Sequence, residues 1–394
     1  MKKRIVSVLL LISVMLMNMP SVGAWEIMAT PILSIDIGLG SVTIENGTAE
    51  NTFKLTHGAV QTDNIDRFTI FKISGSTTSN TITVSANSYR PDIRLDGANI
   101  DVSGTHGACA FRITNAAGQV YVRLEEGSTN SLKSGYNCAG LQKENNYSNL
   151  TGENYGNDVL LTIAGAGTLY ATGGNTGDFG AGGAGIGGGN CREGKHIEIR
   201  GGTVIATGGE YSAGIGGSYK AGSNHITISG GNVTAYGGKG SAGIGGSYTV
   251  YSNYIAITGG TVTATGGDFG AGIGDSYITS SYIVIKGGTV NAIGGKYSNG
   301  IGDGSGDYCR VFISGGNIKT NGIRAVPTAA DGVTPVYKAT FTVPGTGIST
   351  GTAVSGLNIP GYNTNSIVTL DNNKVFTYLP ENTSNTRTTA TYGG

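Results

Sequence analysis

Between Gly201 and Gly316 the chain writes Gly-Gly followed by an alternating apolar pair five times, with anchors at Gly201, Gly230, Gly259, Gly287 and Gly315 set 29, 29, 28 and 28 residues apart. A period in this range marks a solenoid, whose units are each too small to bury an apolar face alone and must stack on their neighbours. Every unit holds three stretches with apolar residues at alternate positions, the period of a strand buried on one side. The first runs Ile197/Ile199, Ile226/Ile228, Ile255/Ile257, Ile283/Ile285 and Val311/Ile313. The second runs Val204/Ala206, Val233/Ala235, Val262/Ala264 and Val290/Ala292, and the third Ala213/Ile215, Ala242/Ile244 and Ala271/Ile273. Gly-Gly pairs such as Gly208-Gly209 and Gly237-Gly238 separate the stretches and are expected to supply the positive φ of tight corners.

The expected fold is all-β: a right-handed parallel β-helix with three short strands per coil and about ten coils, the hand following from the crossover rule. The helix is expected over residues 25–325, with the most regular repeats in 159–325. Residues 326–394, where the period stops, read as a small β unit or cap followed by a flexible tail. Residues 1–24 open with Lys2, Lys3 and Arg4, continue through an apolar run and end in Val22-Gly23-Ala24, the pattern of a secretory signal peptide. The product is therefore expected outside the cell or on its surface, with no membrane insertion after cleavage.

Formal net charge is zero and 13% of residues are charged, which removes the basic footprint of a nucleic-acid partner. Of the four cysteines, Cys109 and Cys138 are 29 residues apart, so neighbouring coils can bring them into disulfide range. Cys191 and Cys309 fall about four coils apart, and no zinc spacing is present.

The stretch Gly259-Gly-Thr-Val-Thr-Ala-Thr-Gly-Gly267, followed by Gly270-Ala-Gly-Ile-Gly274, resembles repeats of large secreted and cell-surface proteins of Gram-positive bacteria. Ile93 to Ile100, Val120 to Gly127 and Leu161 to Gly173 resemble the β-helical carbohydrate-binding domain family whose clostridial members bind polygalacturonate. The resemblance spans roughly residues 68–325. It implies a glycan partner and acidic clusters that hold calcium, whereas the matching positions of the later coils are mostly Gly, Ser, Thr or Tyr.

Outward positions His196, His225, Tyr254, Tyr282 and Arg310 recur at the coil period and form one ladder of flat groups. Tyr219, Tyr248 and Tyr277 form a second ladder in the turns after the third strand, with Tyr211, Phe269 and Tyr297 expected near the opposite corner. Such rings either stack on one another to hold coils together or offer faces to a polysaccharide lying along the helix. Asp275, Asp303 and Asp307 gather hard oxygen ligands and are the candidate calcium site; no other cofactor is implied. Asp92, Asp96 and Asp101 around Arg94 read as an ion-pair ladder. The leading expectation is a non-catalytic glycan-binding β-helix. The alternatives are a structural stalk or adhesin module and a polysaccharide lyase or hydrolase, whose carboxylate pair or calcium-plus-base set the repeat coils do not supply.

Overall fold

The computed structural model describes residues 30–144, 160–175, 182–247, 253–276, 281–303, 309–345, 348–359, 362–363, 367–380 and 391–392. The signal-peptide segment lies outside them. From Ile32 onward the described chain winds into a parallel β-helix, with strands as its regular structure apart from one short 3-10 turn at Ile37–Leu39. The first and second faces belong to one 15-stranded sheet, and the third face to an 11-stranded sheet.

Vertical stacking of like residues builds the core. On the first face Leu33, Phe71, Ile93, Val122, Ile163, Ile199, Ile228, Ile257, Ile285 and Ile313 are successive parallel partners. Leu169, Val204, Val233, Val262, Val290 and Ile318 do the same on the second face. Leu141, Ile186, Ile215, Ile244, Ile273 and Ile301 form the third column. From Phe71 on, these side chains are at most 2% exposed, so each coil removes its aliphatic surface from water only by meeting the next.

Corner chemistry departs from the expectation in an instructive way. Positive φ falls on the second glycine of the first corner, as at Gly231 (φ 81°), and on the third-face glycine, as at Gly245 (φ 138°). Gly208-Gly209 and Gly237-Gly238 are absent from the positive-φ residues; they are needed for closeness, since a Cβ on Gly238 would lie 2.0 Å from the carbonyl oxygen of Gly209 in the coil below.

The two ends are closed differently. Near the N-terminus the strand Val42–Asn46 leaves the coil path into an antiparallel excursion, pairing with Thr52–His57, which pairs in turn with Val60–Asp66. Phe53 and Leu55 are buried under it, while the outermost strand carries Gln61, Asp63, Asn64 and Asp66 in exposed or half-exposed positions, a polar edge that resists pairing with another chain. At the other end Thr328 bridges to Phe312 and Ile323 to Ile301, extending two faces by one residue each.

The C-terminal unit pairs Val336–Thr342 with Lys374–Pro380 in an antiparallel ribbon. It docks on the flank of the last coils. Asn317 donates through Nδ2 to Val368 O and accepts from Phe376 N–H at 2.7 Å, Val368 N–H donates to the Thr289 hydroxyl at 2.8 Å, and Tyr362 donates to Gly316 O at 3.0 Å. Burial holds the Tyr362 phenol well above its usual range.

Ile244→Ala should lower unfolding free energy by about 2–5 kcal/mol, because a fully packed column leaves little room for collapse around the cavity. Thr234→Ala, on the outward side of the second face, should stay within about 0.5 kcal/mol. Urea denaturation of the full chain measures both.

Candidate functional site

Strand register sets the outward side chains as firmly as the core. His196, His225, Tyr254 and Tyr282 come together as a column along one edge of the first face, with ring centroids 4.9, 5.3 and 5.5 Å apart and interplanar angles of 16°, 30° and 16°. These spacings sit close to the ~4.8 Å rise between paired strands, so ring stacking follows from coil stacking. Ring faces therefore look along the helix axis toward each other, and edges look outward. The column ends on Phe312, 4.6 Å from Tyr282, and not on Arg310, whose Cα pairs with Tyr282. Alternation around Val311 and Ile313 carried that signal, since it puts Phe312 on the outward side.

His196 and His225 sit in left-handed backbone, φ 52° and 56°. The Cα pairing skips them, passing from Lys195↔Asn224 to Ile197↔Ile226. Tyr254 and Tyr282 pair without interruption. An L-residue in that region costs about 1–2 kcal/mol, and the ring column is the visible compensation.

Tyr219 meets Tyr211 at 5.7 Å with planes tilted by 58°, and Lys220 lies over the Tyr219 ring at 5.1 Å. The two corners expected to be opposite are therefore adjacent. The third strand is only Ile215–Gly216, so the turns before and after it nearly touch. Tyr248 and Tyr277 lie outside the described residues. Phe269 and Tyr297 stack at 4.9 Å, with Lys296 over Tyr297.

The outward side of the second face is built of two columns. One column there runs Ser76, Asn99, Ser131, Tyr170, Ile205, Thr234, Thr263, Asn291 and Lys319. The neighbouring column runs Asp101, Lys133, Thr172, Thr207, Tyr236, Thr265 and Ile293. Tyr170 and Tyr236 are 46% and 44% exposed, and neither pairs with another ring among the described residues. Two shallow grooves open on this sheet. One of about 410 Å³ is lined by Ser76, Asn99, Asp101 and Ser131, the other of about 430 Å³ by Gly202, Thr203, Gly231, Asn232 and Thr261.

The acids divide into two groups. In the early coils Arg94 lies 3.7 Å from Asp92 and 3.3 Å from Glu125, Lys72 is 2.8 Å from Asp96, and Lys133 is 3.3 Å from Asp101. Asp275 and Asp303 stack at the corner after the third face, both fully buried. The Ser281 hydroxyl donates to Asp275 at 3.0 Å, and the Arg324 guanidinium lies 3.8 Å from Asp303. Asp307 lies outside the described residues. Among the described residues no three His, Cys, Asp or Glu side chains gather as metal ligands.

The beta helix repeat family model matches residues 197–219, 226–248, 255–277 and 283–305, which are the coils of most even period. Neither a curated protein nor a solved structure matches the chain. The match supports a β-helical repeat protein.

Burial next to Asp303 and Asp275 pushes the Cys309 thiol up to about 12, with burial the larger cause. A thiol-exchange reagent at pH 8 should therefore label exposed Cys191 in the native protein and Cys309 only after unfolding. Rapid native labelling at Cys309 would contradict this.

Proposed function

We propose that this β-helical repeat protein is a non-catalytic, exported or surface-displayed module that binds an extended polysaccharide along the outward side of its second face. The observation that carries the reading is Tyr170 and Tyr236, exposed rings on a side rich in Thr, Ser and Asn, with the groove lined by Ser76, Asn99 and Ser131 on the same column as Tyr170. Hydroxyl and amide side chains at fixed coil intervals suit a ligand that is itself a repeating chain of hydroxyls, and exposed ring surface suits the apolar faces of sugars. Zero net charge and sparse ionic groups fit recognition by hydrogen bonding and stacking rather than by charge. The first-face column His196, His225, Tyr254 and Tyr282 spends its ring faces on itself.

That self-stacking favours a second reading, a stalk or adhesin module that spaces another part of a longer surface protein away from the cell. Its motivation is that each first-face ring in the column already has a ring partner, as a purely mechanical staple would.

Retention of the mature chain on insoluble polysaccharides, followed by calorimetry with matching oligosaccharides, separates the two. Under the binding reading, Tyr170→Ala and Tyr236→Ala each weaken retention about tenfold and leave stability within about 0.5 kcal/mol. Tyr254→Ala instead lowers stability by about 0.5–1.5 kcal/mol for each stacked ring pair that it removes. Failure of the wild-type protein to bind any member of a broad glycan panel rejects the binding reading. The reading needs no cofactor, so a calcium chelator should leave both retention and melting temperature unchanged.

A further inference from the structure

We propose that Cys109 and Cys138 form a disulfide that ties two successive coils together. Both precede third-face strands that stack directly, Phe111–Ile113 on Leu141–Lys143, with Phe111 opposite Leu141. Their sulfurs touch, 2.6 Å apart, Cys138 buried and Cys109 half-buried.

The backbone around them is already held, between the two coils and within the later one. Gly135 N–H donates to Ala108 O at 2.8 Å, Cys138 N–H to Gly135 O at 3.2 Å, and Ala139 N–H to Gln142 Oε1 at 3.1 Å. The same Gln142 oxygen lies 3.3 Å from the Cys109 sulfur. Closing the bond needs small side-chain adjustments and no shift of either coil. Cys191 and Cys309 flank different first-face strands, before Gly194–Ile199 and at the start of Arg310–Thr320, and offer no competing pair.

The chemistry has a defined order. The hydrogen bond from Cys109 holds the Cys138 thiol below its usual range, while the same bond and burial hold Cys109 above it. In an opening of the coil edge that brings buried Cys138 to solvent, its thiolate attacks one sulfur of a small-molecule disulfide such as oxidised glutathione and expels one glutathione thiolate, leaving a mixed disulfide. Cys109, once deprotonated, attacks the Cys138 sulfur of that intermediate and expels the second thiolate. Two protein thiols are oxidised, one glutathione disulfide is reduced, and the two protons end on the released thiols.

The consequence is mechanical. A solenoid holds together through neighbour interfaces, so it opens by separating one coil from the next. A covalent link across the interface between the coils of Phe111 and Leu141 blocks opening there, and closing a 29-residue span stabilises through the unfolded chain.

The full chain, purified and exposed to oxidised glutathione, would be alkylated under denaturing conditions, digested with trypsin without reductant and analysed by mass spectrometry. The expected product links peptide 95–112 to peptide 134–143, two hydrogens lighter than their sum and separated by reductant, in wild-type and Cys191→Ser proteins alike. Recovery of both peptides singly alkylated, or linkage of either to Cys191 or Cys309, overturns the proposal. Oxidised wild type should also melt several degrees above the Cys109→Ser/Cys138→Ser variant, with reduced wild type near the variant; equal melting temperatures would overturn the clamping role.

Discussion

In-register parallel pairing between identical positions of successive coils is the interaction on which everything else in this molecule rests. Paired strands rise by about 4.8 Å per coil, so any side chain repeated at the period meets its own copy at that distance. For Ile215, Ile244 and Ile273 the meeting is inward and removes aliphatic surface from water. For His225, Tyr254 and Tyr282 it is outward and stacks rings. Core and surface are therefore two readings of one register, and a slip by one residue would exchange them.

Tight winding explains the glycine content better than flexibility does. At Gly245 a Cβ would lie 1.7 Å from the Gly274 carbonyl oxygen of the next coil, and the backbone there is left-handed as well. Corners of this kind bring main chain against main chain, which leaves room for no side chain at all. The same closeness compresses the third strand to two residues, and so the Tyr211 and Tyr219 turns become neighbours.

An open solenoid exposes unpaired strand at both ends, and this chain deals with each by a different device. The hairpin excursion through Thr52–His57 and Val60–Asp66 closes the third face at the start with a polar outer strand. The C-terminal ribbon reaches the outward side of the last coils through Asn317 and Thr289, so it covers part of the second face there.

Architecture was legible from spacing because period and alternation are local properties: a 28–29-residue repeat with apolar residues at every second position has few folded solutions, and the inward columns follow residue by residue. The ladder from His196 to Tyr282 was legible for the same reason. Other features depended on distances that no spacing contains. Phe312 replaces Arg310 at the end of the column because a ring seeks a ring two positions along the strand. The excursion at residues 42–66 was missed although Asn46-Gly47 and His57-Gly58 mark its turns, because its strands alternate just as coil strands do. Tyr170 and Tyr236 share a face only once two non-identical positions of different coils are laid side by side. The sequence by itself determined which residues repeat and hence which stack; tertiary structure alone decided which faces lie next to each other, because adjacency across corners is set by strand length and backbone contact rather than by periodicity.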